Sequence, residues 1–228
     1  MAARRADATL SRALEASLRN AGADLVGFAD LTDSHSPGQP ALTTGVALAI
    51  ALDRAIVARG DADVAALHLN YHSGYLRMSA LVSACQEMLT GYGFAAWAPE
   101  VTRNLPGLVG AFSHKLVATR AGLGWVGRSS LLVTFRYGCA VVLGSVLTDA
   151  ALMHGRPVTE SHCGPCTRCV TACPYGAIRG PEWHPGVERD CLLDAYLCSR
   201  KREESVAELG FKHPCGLCMR ACPVGGEA

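Results

Sequence analysis

Eleven cysteines punctuate a chain of 228 residues, and nine of them fall between Cys163 and Cys222. They form two strings. The first, Cys163-Gly-Pro-Cys166-Thr-Arg-Cys169-Val-Thr-Ala-Cys173-Pro174, has the spacing C-x2-C-x2-C-x3-C-P; the second, Cys215-Gly-Leu-Cys218-Met-Arg-Ala-Cys222-Pro223, reads C-x2-C-x3-C-P. Cysteines this crowded suit metal ligation better than a disulfide framework. Structural zinc sites draw on two C-x2-C pairs, whereas this spacing is the ligand pattern of [4Fe–4S] cubanes. One tight loop supplies three thiolates and a distant cysteine the fourth; in two-cluster ferredoxins the cysteine before proline serves the other cluster. That rule assigns Cys163, Cys166, Cys169 and Cys222 to one cluster, and Cys173, Cys215 and Cys218 to the other. The remaining ligand is Cys191 or Cys198, which a helix would place on one face. Cys191, nearer the helix start where the dipole favours a thiolate, is the expected one. Cys85 and Cys139 read as buried core thiols.

These ligands need a scaffold. Residues 1–155 are rich in Ala, Leu and Val, and 156–228 in Cys, Pro, Gly and His, which predicts two domains. Leu10, Leu14 and Leu18 repeat at i+4, predicting an amphipathic helix that stops near Gly22. Strands are expected at residues 24–29, 94–98, 131–135 and 140–147, and Gly45 to Leu52 reads as a strand buried on both faces. Ser34 to Pro40 reads as a loop. Helices are expected from Tyr75 to Leu89 and from Phe112 to Arg120. The fold class is α/β or α+β with a mixed sheet, followed by a ferredoxin-like two-cluster module.

Gly122-Leu-Gly124-Trp-Val-Gly127 matches G-x-G-x-x-G, but a helix precedes it and a strand follows, the reverse of a dinucleotide site. Three glycines beside Trp125 and Arg128 instead read as a turn that lets backbone approach a large ligand. A net charge of +1 gives no general pull toward nucleic acid or membrane, so neither is an expected partner. The longest apolar run is far too short to span a bilayer. The absence of a signal-peptide pattern points to the cytoplasm.

The run from His114 through the glycine turn to Thr134, then Leu143-Gly-Ser-Val-Leu-Thr-Asp149 and the cysteine strings, resembles the epoxyqueuosine reductases, which are distantly similar to reductive dehalogenases. The likeness covers roughly residues 65–223. It implies a cobalamin-binding α/β domain fused to the cluster module, with electrons passing through two clusters to the corrinoid. Tyr71-His72 resembles a pair preceding a helix in that family, and Arg189-Asp-Cys191 its isolated cysteine ligand. Tyr71, His72, Lys115, Gly122, Gly124, Trp125, Gly127 and Arg128 are thus the expected corrinoid contacts. The chain departs from the family in lacking a C-terminal repeat extension for tRNA. Where the family has an aspartate, a proline and a glutamate, it has Leu108, Ala111 and His114. No acid stands between Val101 and Arg120, which argues against epoxyqueuosine itself. His114, whose ordinary pKa lies near neutrality, is the expected catalytic proton group. The implied activity is a cobalamin-dependent reductase of a small molecule, fed by a ferredoxin- or flavodoxin-type donor. The alternative is a protein that reduces or processes a corrinoid for a partner.

Overall fold

A computed structural model describes residues 6–34, 42–101 and 106–225. The loop expected after Ser34 lies outside them. Asp7 opens α1 (Ala8–Asn20) by accepting hydrogen bonds from the Thr9 and Leu10 amides, satisfying donors that the first turn leaves free. Leu14 and Leu18 turn inward from α1 onto a four-stranded sheet. Its strands are β1 (Leu25–Asp30), β2 (Thr44–Ala51), β3 (Ala96–Trp97) and β6 (Val141–Thr148), in the order β1-β2-β6-β3. Every pairing is antiparallel. The sheet is therefore of one kind rather than mixed, and the α+β form of the expected class is the observed one.

β2 is buried along nearly its whole length, as its unbroken apolar run predicts. The pleat sends Val46, Leu48 and Ile50 to one core with Leu14, Leu18, Met78 and Leu89. Ala47 goes to a second core with Val117, Ala118 and Ala121. Helices cover both faces. α2 (Arg54–Arg59) leads into α3 (Val64–Gly91), which packs on β2 and β6; α4 (His114–Arg120) packs on β1 and β2. α3 begins well before Tyr75, because Asp63 caps it by accepting from the Ala66 amide. Tyr71 and His72 thus lie inside the helix rather than ahead of it.

After α4 the glycine segment is itself partly a strand. β4 (Gly124–Val126) pairs with β5 (Leu132–Thr134), and Gly124 stands opposite Thr134. The cysteine-rich segment follows as short turns of helix: α5 (Arg168–Thr171), α6 (Arg189–Leu192), α7 (Ala195–Glu203), α8 (Val206–Leu209) and α9 (Leu217–Arg220). α5 packs on α9, bringing the two cysteine strings together.

Candidate metal centre and adjoining cavity

The cysteines sort into two groups by which thiols feel one another. Cys169 is pushed up by burial and then by Cys163, Cys222 and Cys166. Cys218 is pushed up to about 12 by burial, with Cys215, Cys198, Cys169 and Cys173 adding. Cys198 is likewise raised by burial, opposed by Arg202, with Cys215 and Cys173 adding. The expected first set stands together. In the second, the structure places Cys198 beside Cys215 and Cys173, while Cys191 is exposed. The reason is in α7. Its Arg202 carbonyl accepts from the His213 amide and its Arg202 Nε donates to the His213 carbonyl. This seats the helix face bearing Cys198 against the loop entering Cys215. α6 is held elsewhere, by Arg189 Nη1 donating to the Leu108 carbonyl at 2.6 Å. His213 had no assigned role, yet its Nδ1 accepts from the Cys215 amide at 2.8 Å. It steadies a cysteine held at φ 57°, a left-handed conformation that costs a non-glycine residue energy.

Among the described residues, no three His, Cys, Asp or Glu side chains converge as on a single ion. Thiolates of a cubane bind separate irons and stand around it rather than at one point. The donors are all sulfur, which zinc accepts as well, and it is their C-x2-C-x2-C-x3-C-P spacing that fits cubanes.

The first group backs onto the sheet domain. Trp125 Nε1 donates to Cys163 Sγ at 3.4 Å. Arg128 donates through Nη1 and Nη2 to the carbonyls of Gly180 and Gly164 and pairs with Glu182, which holds the first cysteine loop, while its buried Nε has no hydrogen-bond partner among the described residues. The glycines serve chain packing: a Cβ would meet the Arg156 carbonyl at Gly122, the Val133 carbonyl at Gly124, and the Val133 side chain at Gly127. None of these residues lines the large cavity described next. The glycine turn seats the first cysteine loop, and Val126 within it lines that cavity. Tyr71 also lies apart, its hydroxyl donating to Met219 Sδ, and His72 is exposed, stacked on His68.

A cavity of about 1450 Å³ lies between α4, β6 and the segment before α6. Its apolar wall includes Phe112, Leu131, Val142, Leu143 and Trp183. His114, Lys115, Arg120 and Arg189 supply its polar side, and Glu100, immediately before Val101, is there too. Tyr75, one helical turn after Tyr71, also reaches it. His114 Nδ1 lies 2.7 Å from Ser145 Oγ, and burial lowers its pKa, partly offset by the backbone of Glu100. Lys115 Nζ donates to the Ser130 carbonyl at 2.7 Å and to its hydroxyl. Burial, and then the nearby Arg189 charge, lowers its pKa to about 8. Cys139 completes the wall beside Cys222, and its thiol donates to the Met219 carbonyl at 3.8 Å.

Residues 162–225 match the family described as a 4Fe-4S double cluster binding domain. The epoxyqueuosine reductase of Gloeobacter violaceus is 38% identical over 118 residues, half of this chain and 36% of that protein. Over that half, the chain is similar to the epoxyqueuosine reductases. It spans about a third of that curated relative's length. The fold extends further than the sequence likeness. A crystal structure of epoxyqueuosine reductase with a tRNA-Tyr epoxyqueuosine-modified stem loop superposes with TM-score 0.64 and 20% identity, covering 96% of this chain and 66% of that one. A reductive dehalogenase whose structure suggests a mechanism for B12-dependent dehalogenation gives TM-score 0.71 and 21% identity, over 95% and 32%. The double-cluster domain and these relatives give the chain an iron–sulfur redox role. The tRNA stem loop overturns one expectation: near-neutral charge had excluded nucleic acid, yet a protein of this fold is seen with RNA. Among the described residues, no helix is long and apolar enough to cross a membrane.

Proposed function

We propose that this chain is a cobalamin-dependent reductase in two parts. In this reading residues 156–228 carry two [4Fe–4S] clusters, and residues 1–155 hold a corrinoid in the cavity beside them. Cys163, Cys166, Cys169 and Cys222 would hold one cluster, and Cys173, Cys198, Cys215 and Cys218 the other. The observation that carries the reading is the cavity itself, whose wall ends at Cys139, in contact with Cys222. A macrocycle rimmed by carboxamides calls for an apolar floor and hydrogen-bonding groups at its edge. Leu143, Val142 and Trp183 suit the floor, and Lys115, Arg120 and Ser113 the edge. When bound, cobalamin supplies a cobalt centre that the clusters keep reduced, and the difficult chemistry is the cofactor's own.

The protein's part is to position and to manage protons. His114, held by Ser145 and the backbone of Glu100, is neutral at neutral pH. These two partners engage the ring nitrogens and fix the ring at the cavity wall, so proton exchange with the cavity would require one of the two bonds to open. Glu100 and Asp190, both at the cavity, bring carboxyl groups that the chain lacks between Val101 and Arg120. A small molecule is the favoured substrate, and a ferredoxin or flavodoxin the electron donor. A modified base in RNA is a second reading, favoured by the tRNA stem loop in the similar structure. The reducing cytoplasm suits open thiolate ligands.

The test is anaerobic purification with iron, sulfide and cobalt counted together, followed by titration with cob(II)alamin. About eight irons and eight sulfides per chain are expected, with a shift in the visible cobalamin spectrum. A full iron complement with no spectral change would leave an electron-transfer protein and dismiss the corrinoid. Competition by a tRNA-Tyr stem loop separates the substrate readings.

A further inference from the structure

The sheet domain meets the first cysteine group at one short strand. β4 is buried along its whole length, and its pleat turns neighbouring side chains to opposite sides. Val126 lines the large cavity, while Trp125 turns away from it toward the cysteines. The indole Nε1 lies 3.4 Å from Cys163 Sγ and donates to it. Three features hold the indole in that pose. Trp125 is 3% exposed. Its backbone is in register with Val133 in the β4–β5 ladder. Its ring packs on Phe135 and His162, with centroids 5.4 and 4.9 Å away. The sulfur is held as well. A Cβ at Gly127 would stand 3.8 Å from it, so the turn passes close by. Arg128 Nη2 donates to the carbonyl of Gly164, the residue after Cys163, at 2.7 Å. β4 is thus a partition, with one residue facing the cavity and its neighbour bonded to a cysteine.

We propose that Trp125 is a positioning residue whose indole N–H donates to the iron-bound sulfur of Cys163 and so raises the reduction potential of that cluster. The inference rests on Cys163 being a cluster ligand, as proposed above. A ligating thiolate carries more negative charge than a thiol, so a bond to it is charge-assisted and strengthens when the cluster is loaded. It acts in a buried place, where such bonds count for more than in water. A hydrogen bond to a ligand sulfur draws electron density from the cluster and favours its reduced, more negative form. The position therefore requires indole rather than phenyl, which fills apolar space but has no donor. The side chain that anchors the first cysteine loop also sets how readily the cluster there takes an electron.

The experiment is redox titration of the anaerobically prepared whole chain, followed by electron paramagnetic resonance, with iron and sulfide counted in each sample. It compares wild type, Trp125→Phe, and protein carrying benzothienylalanine at position 125, which keeps the bicyclic shape of indole and has sulfur in place of N–H. All three are expected to hold equal iron. One of two potentials is expected to fall in Trp125→Phe and to fall likewise with benzothienylalanine, while the other stays in place. Isotope-labelled indole nitrogen is expected to couple to the reduced cluster in wild type, and the coupling to vanish in Trp125→Phe. Equal potentials in wild type and the benzothienylalanine protein, both fully loaded, would overturn the role of the N–H and leave the clusters standing. That holds even where Trp125→Phe shifts or loses its cluster, since the cause is then packing. Wild type without clusters would instead bring down the ligand assignment on which the proposal rests.

Discussion

Two cysteines seven residues apart show how far spacing alone can decide. Cys191 and Cys198 fit the same helical face, and the dipole argument chose Cys191. Burial and the Arg202–His213 hydrogen bonds place Cys198 with Cys215 and Cys173. Cys198→Ala is therefore expected to retain about four of about eight irons, and Cys191→Ala to retain all of them; iron analysis showing the reverse would restore Cys191. His114 carries a pH signature. Burial holds its pKa below the ordinary value of about 6.5, so the native state takes up a proton less readily than the unfolded chain. The stability this neutral ring provides is complete above about pH 6.5 and is lost as pH falls through its folded pKa. Thermal melts of His114→Asn are expected to lack that acid-side slope; curves falling in parallel with wild type would assign the slope elsewhere. Lys115 works in the other direction: its ammonium is charged below about pH 8 and is lost above it. An anionic group held by Lys115 should bind more weakly as pH rises past 8, and Lys115→Met should bind it weakly throughout.

Elements with a strong pattern were readable in advance. The i+4 leucines of α1 and the apolar run of β2 state their buried faces directly, and the structure places both as read. The glycine pattern says only that something comes close, without saying what. At Gly124 the neighbour is the Val133 carbonyl of the paired strand. Gly124→Ala is accordingly expected to destabilise the protein by about 1–3 kcal/mol or more, as overpacking does. The loss should appear in thermal melts of the iron-free as well as the loaded protein, since a strand pair rather than a ligand is disturbed. Loss of cobalamin binding with unchanged stability would return the turn to the ligand. Tyr71 and Tyr75 tell the same lesson. They stand one helical turn apart on α3, and only the placement of α9, across the chain, decides which meets Met219 and which meets the cavity.

At the scale of the molecule, the two halves hold together by different means. The sheet buries long side chains in two cores. Within 162–225, the buried hydrophobic residues are Ala177, Ile178, Leu192 and Met219, too few to stabilise such a segment alone. Metal–thiolate bonds must supply the rest. Removing iron with a chelator is expected to expose amides of 162–225 to hydrogen exchange while those of β2 and β6 stay protected. Uniform loss of protection would mean the halves fold as one unit. Composition separates the two stretches, since cysteine, proline and glycine crowd one end. The contacts between them were not legible, because those at Cys139, Arg128 and Trp125 are single residues with no periodic signal.

The proposed pairing of Cys222 with Cys163, Cys166 and Cys169 also sets an order of events. A growing chain emerges from its amino end and folds as it appears. The sheet, with β6 complete, is in place before the first cysteine string is made, and Arg54 and the Gly138 turn already wait for the chain after Cys222. The first three thiols of that group are then made long before the fourth. During that interval they are an open half-site, exposed to oxidation and to the wrong metal. Supply of iron and sulfide is therefore a problem of timing as well as affinity. Cells that make this protein faster than they can deliver clusters should accumulate a folded sheet with a misloaded tail.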